Sequence, residues 1–283
     1  MEPLKEILNR NSDSSWSKPD EKERVQFLVD SLNEDEGNLD NSIYDCKKCK
    51  NKGFIYFVKE RNGHYWETTM DCDCKKTRSS IIKMRSSGLE PIIKRCTFEK
   101  YEAKEEWQKK AKEKAMNFAA NCESMEEKCF FIGGGVGSGK THLCTAIVRE
   151  MLLKGKSARY MLWVKDSARL KAIVNDAEYE PAMDEFRKVD VLYIDDFFKI
   201  TKDRQGNELY PTAADIRLAY EIINYRYQHR ELITIISSER YIDELEEIDS
   251  AVGSRIYEMA SDNALSIARD RSKNYRFKKR EVL

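Results

Sequence analysis

One octapeptide narrows the fold more than anything else in the chain: Gly134-Gly135-Val136-Gly137-Ser138-Gly139-Lys140-Thr141. It fits G-x-x-x-x-G-K-[S/T] at every position. The apolar stretch before it, Lys128–Gly133, reads as a strand, and the stretch it opens, Lys140–Leu153, reads as a helix. Glycines admit backbone angles closed to other residues. The loop can therefore turn its N–H groups inward, and the helix N-terminus adds positive potential. This predicts a cradle for the phosphates of ATP. Lys140 reaches the β- and γ-phosphates, the Thr141 hydroxyl binds magnesium, and His142 follows at the nucleotide. A glycine-rich turn with a chance lysine would lack this strand-to-helix context.

A second segment answers the first. Val191-Leu-Tyr-Ile-Asp195-Asp196 is four apolar residues closed by two carboxylates. On a buried parallel strand beside a phosphate loop, Asp195 holds magnesium, mostly through water. Asp196 is the expected general base for the attacking water. Its side chain is one methylene shorter than the glutamate common at this place, which predicts slow, switch-like hydrolysis. A pair of helix-capping aspartates is the plainer alternative.

The rest of the second half alternates. Ala158–Val164 and Leu232–Ser237 read as strands, Val189–Asp195 as another, and Ala213–His229 as a helix. Alternation predicts an α/β fold, a mostly parallel sheet with helices on both faces. Upstream, Trp107, Ala111, Ala115, Phe118 and Cys122 share one face of a helix expected over Ala103–Cys122.

The front of the chain differs. Cys46-x-x-Cys49 and Cys72-x-Cys74 flank two β-rich stretches, Phe54–Lys59 and His64–Met70, joined by Asn62-Gly63. That dipeptide is a strong hairpin signal. A hairpin there brings the cysteine pairs together, and four thiolates suit tetrahedral zinc. His64 is a possible substitute ligand. Such a module is too small to build an adequate core, so the metal would be a structural staple. Cys96, Cys122, Cys129 and Cys144 read as small buried apolar residues. Ahead of the module, Val25, Leu28, Val29 and Leu32 fit one short amphipathic helix.

Charge cancels overall, with 50 basic and 50 acidic side chains among 283 residues, but it is unevenly spread. Residues 1–40 carry a net −6, residues 41–115 a net +8 and residues 269–283 a net +5. An acidic leader and basic middle and tail suit an anionic partner such as nucleic acid. Solvated helix faces are the plainer reading. No apolar run approaches the ~20 residues of a membrane helix, and the first residues lack a signal-peptide core. A cytoplasmic protein with reduced cysteines and no membrane contact is expected.

Several stretches then resemble the DnaC/DnaI-type replicative helicase loaders, AAA+ ATPases with phage relatives. These are Cys96-Thr-Phe-Glu-Lys-Tyr101, Tyr220-Glu-Ile-Ile-Asn-Tyr-Arg226, Ile235-Ile-Ser-Ser-Glu239, Gly253-Ser-Arg-Ile256 and Asn274-Tyr-Arg276. The resemblance covers about residues 41–280. It implies a loader that binds a hexameric replicative DNA helicase and delivers it to single-stranded DNA. Arg255 would be the arginine finger reaching a neighbouring copy's γ-phosphate, so the working ATPase would be a homo-oligomer bridged by ATP. Arg276 would be sensor 2 and Ser237-Ser238-Glu239 sensor 1, with Ser238 at the nucleotide. Loaders show Asn where this chain has Glu239. Single-stranded DNA would touch Lys165 to Val174, through Lys165, Arg169 and Lys171. Asp203–Pro211 looks like an inserted surface loop. Only 24 residues follow Met259, too few for a full helical lid domain.

The expected organisation is an acidic, partly helical leader (1–40), a zinc-binding module (41–88), a linker (89–102) and an AAA+ ATPase domain (103–283). The leader and module would grip the helicase. An ATPase helper of a transposase shares the same core. A small-molecule P-loop kinase would need an acceptor pocket and a lid. A zinc-bearing nucleic-acid adaptor would use ATP only to hold its fold.

Overall fold

The computed structural model describes residues 20–86 and 90–278, so most of the acidic leader and the last basic residues lie outside the described residues. The chain divides into two compact units, Met1–Asp73 and Cys74–Leu283.

In the first unit, α1 (Glu21–Glu34) starts at a reciprocal cap: Asp20 accepts from the Glu23 N–H at 2.7 Å, and Glu23 accepts from the Asp20 N–H at 3.1 Å. Val29 is buried under it. β1 (Phe54–Arg61) and β2 (His64–Asp71) pair antiparallel, with Arg61 opposite His64. Asn62 and Gly63 both have positive φ, 55° and 78°, which matches the right-handed twist of the strands. Asn33 at the end of α1 accepts from the Tyr56 N–H at 3.0 Å and donates to the Tyr56 carbonyl at 2.9 Å. One side chain thus satisfies both backbone groups of a residue on the free edge of β1.

The second unit begins with α2 (Cys74–Ser86), α3 (Glu90–Ile93) and α4 (Glu106–Asn121). α4 starts three residues after Ala103, because Gln108 folds back to accept the N–H groups of Lys104 and Glu105 at 2.9 Å each. Then come β3 (Cys129–Gly134), α5 (Lys140–Leu153), β4 (Ala158–Leu162), α6 (Trp163–Ala172), α7 (Tyr179–Arg187) and β5 (Val191–Phe197). The chain continues through β6 (Thr201–Lys202), β7 (Glu208–Leu209), α8 (Ala213–Gln228), β8 (Ile233–Ser238), α9 (Ile242–Ile248), α10 (Ser250–Ala260), β9 (Ala264–Ile267) and α11 (Tyr275–Lys278).

Five strands form one parallel sheet in the order β4-β5-β8-β3-β9. Both faces are covered. Phe130, Ile132, Tyr193 and Ile235 pack with Phe118, Leu143 and Ile147 on one side. Phe131, Leu192, Ile194 and Ile236 pack with Leu218, Ile222, Val252 and Ile256 on the other. Successive strand residues alternate between the cores, and none of β3, β5 or β8 needs a polar face. The β3 crossover runs out to β4, while the chain returns through β5 and β8 to β9 on the far side of β3. The order therefore reverses beside β3, and the crevice at the carboxyl ends of the strands opens there.

Three features depart from the expected elements. The strand from Ala158 ends at Leu162, where Asp166 accepts the Leu162 N–H at 2.9 Å and starts α6. The expected loop Asp203–Pro211 instead gives its Glu208–Leu209 to a small ribbon, β7 against β6, whose turn is tightened by Asp203 accepting the N–H groups of Gln205 and Asn207 at 2.8 Å. β9 adds a fifth strand beside β3. Arg226 on α8 is fully buried. Its guanidinium donates to Thr234 and to the carbonyls of Phe186, Arg187, Val189 and Ile233 at 2.6–3.2 Å. It ties the end of α7 to the start of β8, and burial lowers its pKa to about 9.

Candidate nucleotide site and cysteine cluster

The carboxyl ends of β3, β5 and β8 meet at a cleft of about 470 Å³. The phosphate-loop segment forms one wall. Gly139 is the N-cap of α5 at φ 89°, and a Cβ there would lie 2.9 Å from the Tyr101 ring. At Gly137, φ 72°, a Cβ would lie 2.0 Å from the Asn274 side chain. At both places a Cβ would displace that neighbour, and the left-handed φ itself favours glycine. Lys140 is 8% exposed, and its ammonium donates to the carbonyls of Gly134 and Gly135 at 2.7 Å each. Burial pulls its pKa down, and the nearby Glu239, Asp196 and Asp195 carboxylates oppose that.

The Thr141 hydroxyl donates to Asp195 Oδ1 at 3.3 Å, so the loop and the acidic strand end converge. Asp195 is 6% exposed. Oδ1 also accepts from the Asp196 N–H at 3.1 Å and from the Ser237 hydroxyl. Oδ2 accepts from the Tyr160 hydroxyl at 3.0 Å. Burial, and then Asp195 itself, push the Tyr160 phenol far up, so it acts as a fixed donor. Asp196 stands next to it at φ 54°, after an irregularity in the β5 pairing, and its Oδ2 is 2.6 Å from Lys199 Nζ.

The far wall comes from the segment before α4. Phe98 and Tyr101 are buried in the core under it, and Lys100, Tyr101 and Glu102 line the cleft. Burial raises the Tyr101 phenol to about 12. Its hydroxyl is buried beside Gly139 with no hydrogen-bond partner among the described residues. An orphaned donor of this kind fits a ligand in the cleft. His142 turns toward this segment: its Nε2 is 2.9 Å from the Thr97 carbonyl, and its ring packs edge-on to Tyr101 at 5.2 Å. It lines the cleft, while its hydrogen bond holds the segment in place.

Cys46, Cys49, Cys72 and Cys74 are all buried, and their sulfurs lie within 4.8 Å of one another. The Cys46 and Cys72 sulfurs are 3.8 Å apart. That is too far for a disulfide, ~2.05 Å. It matches about 3.8 Å for two corners of a tetrahedron with Zn–S bonds of ~2.3 Å. Cys49 opens a tight turn in which Lys50 and Asn51 are left-handed, and its sulfur accepts the Gly53 N–H at 3.3 Å. The donor set fits zinc. His64 lies outside it, at the hairpin turn, exposed and 3.8 Å from Glu21. Cys122, Cys129 and Cys144 are buried in the cores, while Cys96 is half-buried.

The profile of the bacterial DnaA ATPase domain matches residues 92–260, more than half of the chain. The chain belongs to this family of AAA+ ATPases. It is 33% identical over 232 residues to the phage-like element PBSX protein XkdC of Bacillus subtilis strain 168, covering 79% of this chain and 82% of that protein. It is 33% identical over 137 residues to the replicative helicase loader DnaC of Escherichia coli K12, covering 46% of this chain and about half (54%) of the loader. The solved structure of the DnaC helicase loader superposes with TM-score 0.50 at 21% identity, over 62% of this chain and 97% of that one. DnaA bound to AMPPCP and single-stranded DNA gives TM-score 0.50 at 22% identity, over 66% and 55%. At such identities the superpositions establish the fold.

Within this AAA+ unit the residues named by resemblance separate. Arg276 lines the cleft, and the Tyr275 N–H donates to the Gly137 carbonyl at 2.9 Å. Arg255 does not line the cleft. It sits on α10, bonded to Asn224 at 3.1 Å and to the Ala251 carbonyl at 2.8 Å, between the rings of Tyr220 and Tyr227. Ser238 turns away: its hydroxyl donates to the Phe197 carbonyl at 2.7 Å. Its neighbours Ser237 and Glu239 face the site instead. Lys165 and Arg169 are exposed on α6, whereas Lys171 is 2.5 Å from Asp215. Tyr160 and Lys199 enter the site without having been singled out in the sequence, and Tyr101 enters it from the end of the Cys96–Tyr101 stretch, which had no site role assigned. Tyr160 had no local signal, since its phase with Asp195 rests on the register of β4 against β5.

Proposed function

We propose that this chain is an ATP-dependent loader that binds a hexameric replicative DNA helicase and delivers it to single-stranded DNA. The observation that carries the reading is the meeting of Thr141 and Asp195 at 3.3 Å beside Lys140, on a chain similar over 137 residues to the loader DnaC. A hydroxyl and a carboxylate at the carboxyl end of a parallel sheet are the donors that Mg²⁺ takes beside a triphosphate. Magnesium there would neutralise charge on the β- and γ-oxygens. Lys140 would exchange its two carbonyl partners for phosphate oxygens, which accept charge-assisted bonds. Asp196 would take the proton of the attacking water. Arg255, away from its own cleft, would serve the cleft of a neighbouring copy in a homo-oligomer. Arg276 would contact the nucleotide in its own chain.

Cys46, Cys49, Cys72 and Cys74 would hold a zinc ion that stabilises the residue 41–88 module and takes no part in hydrolysis. That module and the leader would grip the helicase, while Lys165 and Arg169 would touch DNA. ATP binding would assemble the loader, and hydrolysis would release it.

The decisive experiment mixes the full chain with a candidate hexameric replicative helicase and a circular single strand, with and without ATP. A defined complex and helicase on the circle are expected, and Lys140→Ala should abolish delivery. Co-purification with a transposase in place of a helicase would overturn the partner assignment. Delivery by Lys140→Ala at the wild-type level would reduce the ATP site to a structural role.

A further inference from the structure

The turn that closes β5 carries a lysine outside the steps above. Asp196-Phe197-Phe198-Lys199 is closed by the Lys199 N–H donating to the Asp196 carbonyl at 3.1 Å. Asp196 and Phe198 are both left-handed, φ 54° and 45°, which is uncommon for such residues. The surroundings enforce it. Phe197 and Phe198 are fully buried and stacked at 4.3 Å, with Trp163 edge-on to both. Backbone strain sustained this way clusters at functional sites. Its result is to aim Lys199 into the cleft, 2.6 Å from Asp196 Oδ2 and 4.0 Å from Glu239 Oε1.

Glu239 is also the charge that acts most strongly on Lys140. Its carboxylate therefore stands in the field of two ammoniums, one from the phosphate loop and one from the β5 turn. Asp195, Asp196 and Glu239 all line a cleft that must accept a polyanion. Asp195 is bonded by hydroxyls and an amide, but among the described residues Asp196 and Glu239 have only Lys199 within ion-pair distance. The Lys199–Asp196 pair is part-exposed, 39% and 30%, and such pairs hold weakly. A terminal phosphate offers more charge and three acceptor oxygens, so it outbids a single carboxylate for the ammonium.

We propose that Lys199 is a second phosphate-reading lysine: it leaves Asp196 for the terminal phosphate, so that the cleft distinguishes a nucleoside triphosphate from a diphosphate and Asp196 is freed to face the attacking water. This rests on the nucleotide reading of the cleft.

The test is equilibrium binding of the magnesium complexes of ADP and of a non-hydrolysable ATP analogue to the full chain, as wild type, Lys199→Met and Lys199→Arg. Lys199→Met weakens the analogue on the order of tenfold, the weight of one charge-assisted hydrogen bond. It changes ADP affinity by less than about twofold, and Lys199→Arg keeps the wild-type ratio. Lys199→Gln repeats the measurement should the methionine variant fold poorly. Equal losses for both nucleotides, or no loss, overturn the role of Lys199 while leaving the cleft a nucleotide site. A wild-type chain that binds neither nucleotide removes the reading of the cleft itself.

Discussion

Deleting one oxygen tests the magnesium assignment. Tyr160→Phe keeps the ring, which packs against Tyr193 at 5.3 Å, and removes only the donor to Asp195 Oδ2. Among the described residues, the other three donors to Asp195 all use Oδ1. The substitution therefore leaves Oδ2 unheld and lets the carboxylate swing. A hydrogen bond to a charged acceptor is worth about 1.5–3 kcal/mol, or roughly 10- to 150-fold in an equilibrium constant. Groups that orient a metal ligand cost about 10–100-fold when removed. The variant should need at least about tenfold more Mg²⁺ for half-maximal ATP hydrolysis, with little change in saturating-magnesium binding of the nucleotide. The assay is a magnesium titration of steady-state phosphate release at fixed ATP. An unchanged magnesium midpoint would refute the claim that Asp195 holds the metal through an orientation set by Tyr160.

Other outcomes follow from single contacts. Arg226→Met strips five hydrogen bonds from a fully buried guanidinium and leaves four carbonyls without that donor; it should cost about 3–5 kcal/mol in urea unfolding, and a loss below about 1 kcal/mol would count against the staple. Cys72→Ser should drop bound zinc from about one per chain to near none, read by metal analysis; a wild-type chain that folds without metal would remove the zinc. Burial lowers the His142 pKa below its ordinary ~6.5. The unfolded chain then binds more protons between the folded value and ~6.5, so stability falls as pH drops through that window. His142→Gln should flatten the slope, and parallel wild-type and variant curves would clear His142 of any role in it.

What could be read from the sequence was what is local. The phosphate loop needs no tertiary information, and α5 runs from Lys140 to Leu153 as its apolar spacing predicts. β3, β5 and β8 were legible because strands buried on both faces are continuous apolar runs. β9 was not, because Ala264-Leu-Ser-Ile267 is short and carries a serine, and its partner β3 lies some 130 residues upstream. The choice between Ser237 and Ser238 was also closed to the sequence. A strand alternates faces, and only the register, Ile132 opposite Ser237 and Phe197 opposite Ser238, decides which hydroxyl reaches Asp195. Cysteine spacing left Cys74 and His64 as rival ligands; the hairpin carries His64 to the turn, while the Cys74 sulfur lies with the other three.

The phosphate loop is also where distant parts of the second unit are tied together. Tyr101 packs on Gly139, and His142 bonds the Thr97 carbonyl, so the segment ahead of α4 is fastened to the first turn of α5. From the other end of the chain, Tyr275 donates to the Gly137 carbonyl and Asn274 fills the space that a Cβ at Gly137 would need. A phosphate that fixes the loop's N–H groups must therefore also favour one placement of both segments. Linkage would make this reciprocal: a ligand that prefers one placement of residues 274–276 or 97–101 would change nucleotide affinity by the same factor that nucleotide changes its docking. A partner docked on either segment would then be coupled to the nucleotide through two glycines, Gly137 by the Tyr275 N–H and Gly139 by the Tyr101 ring.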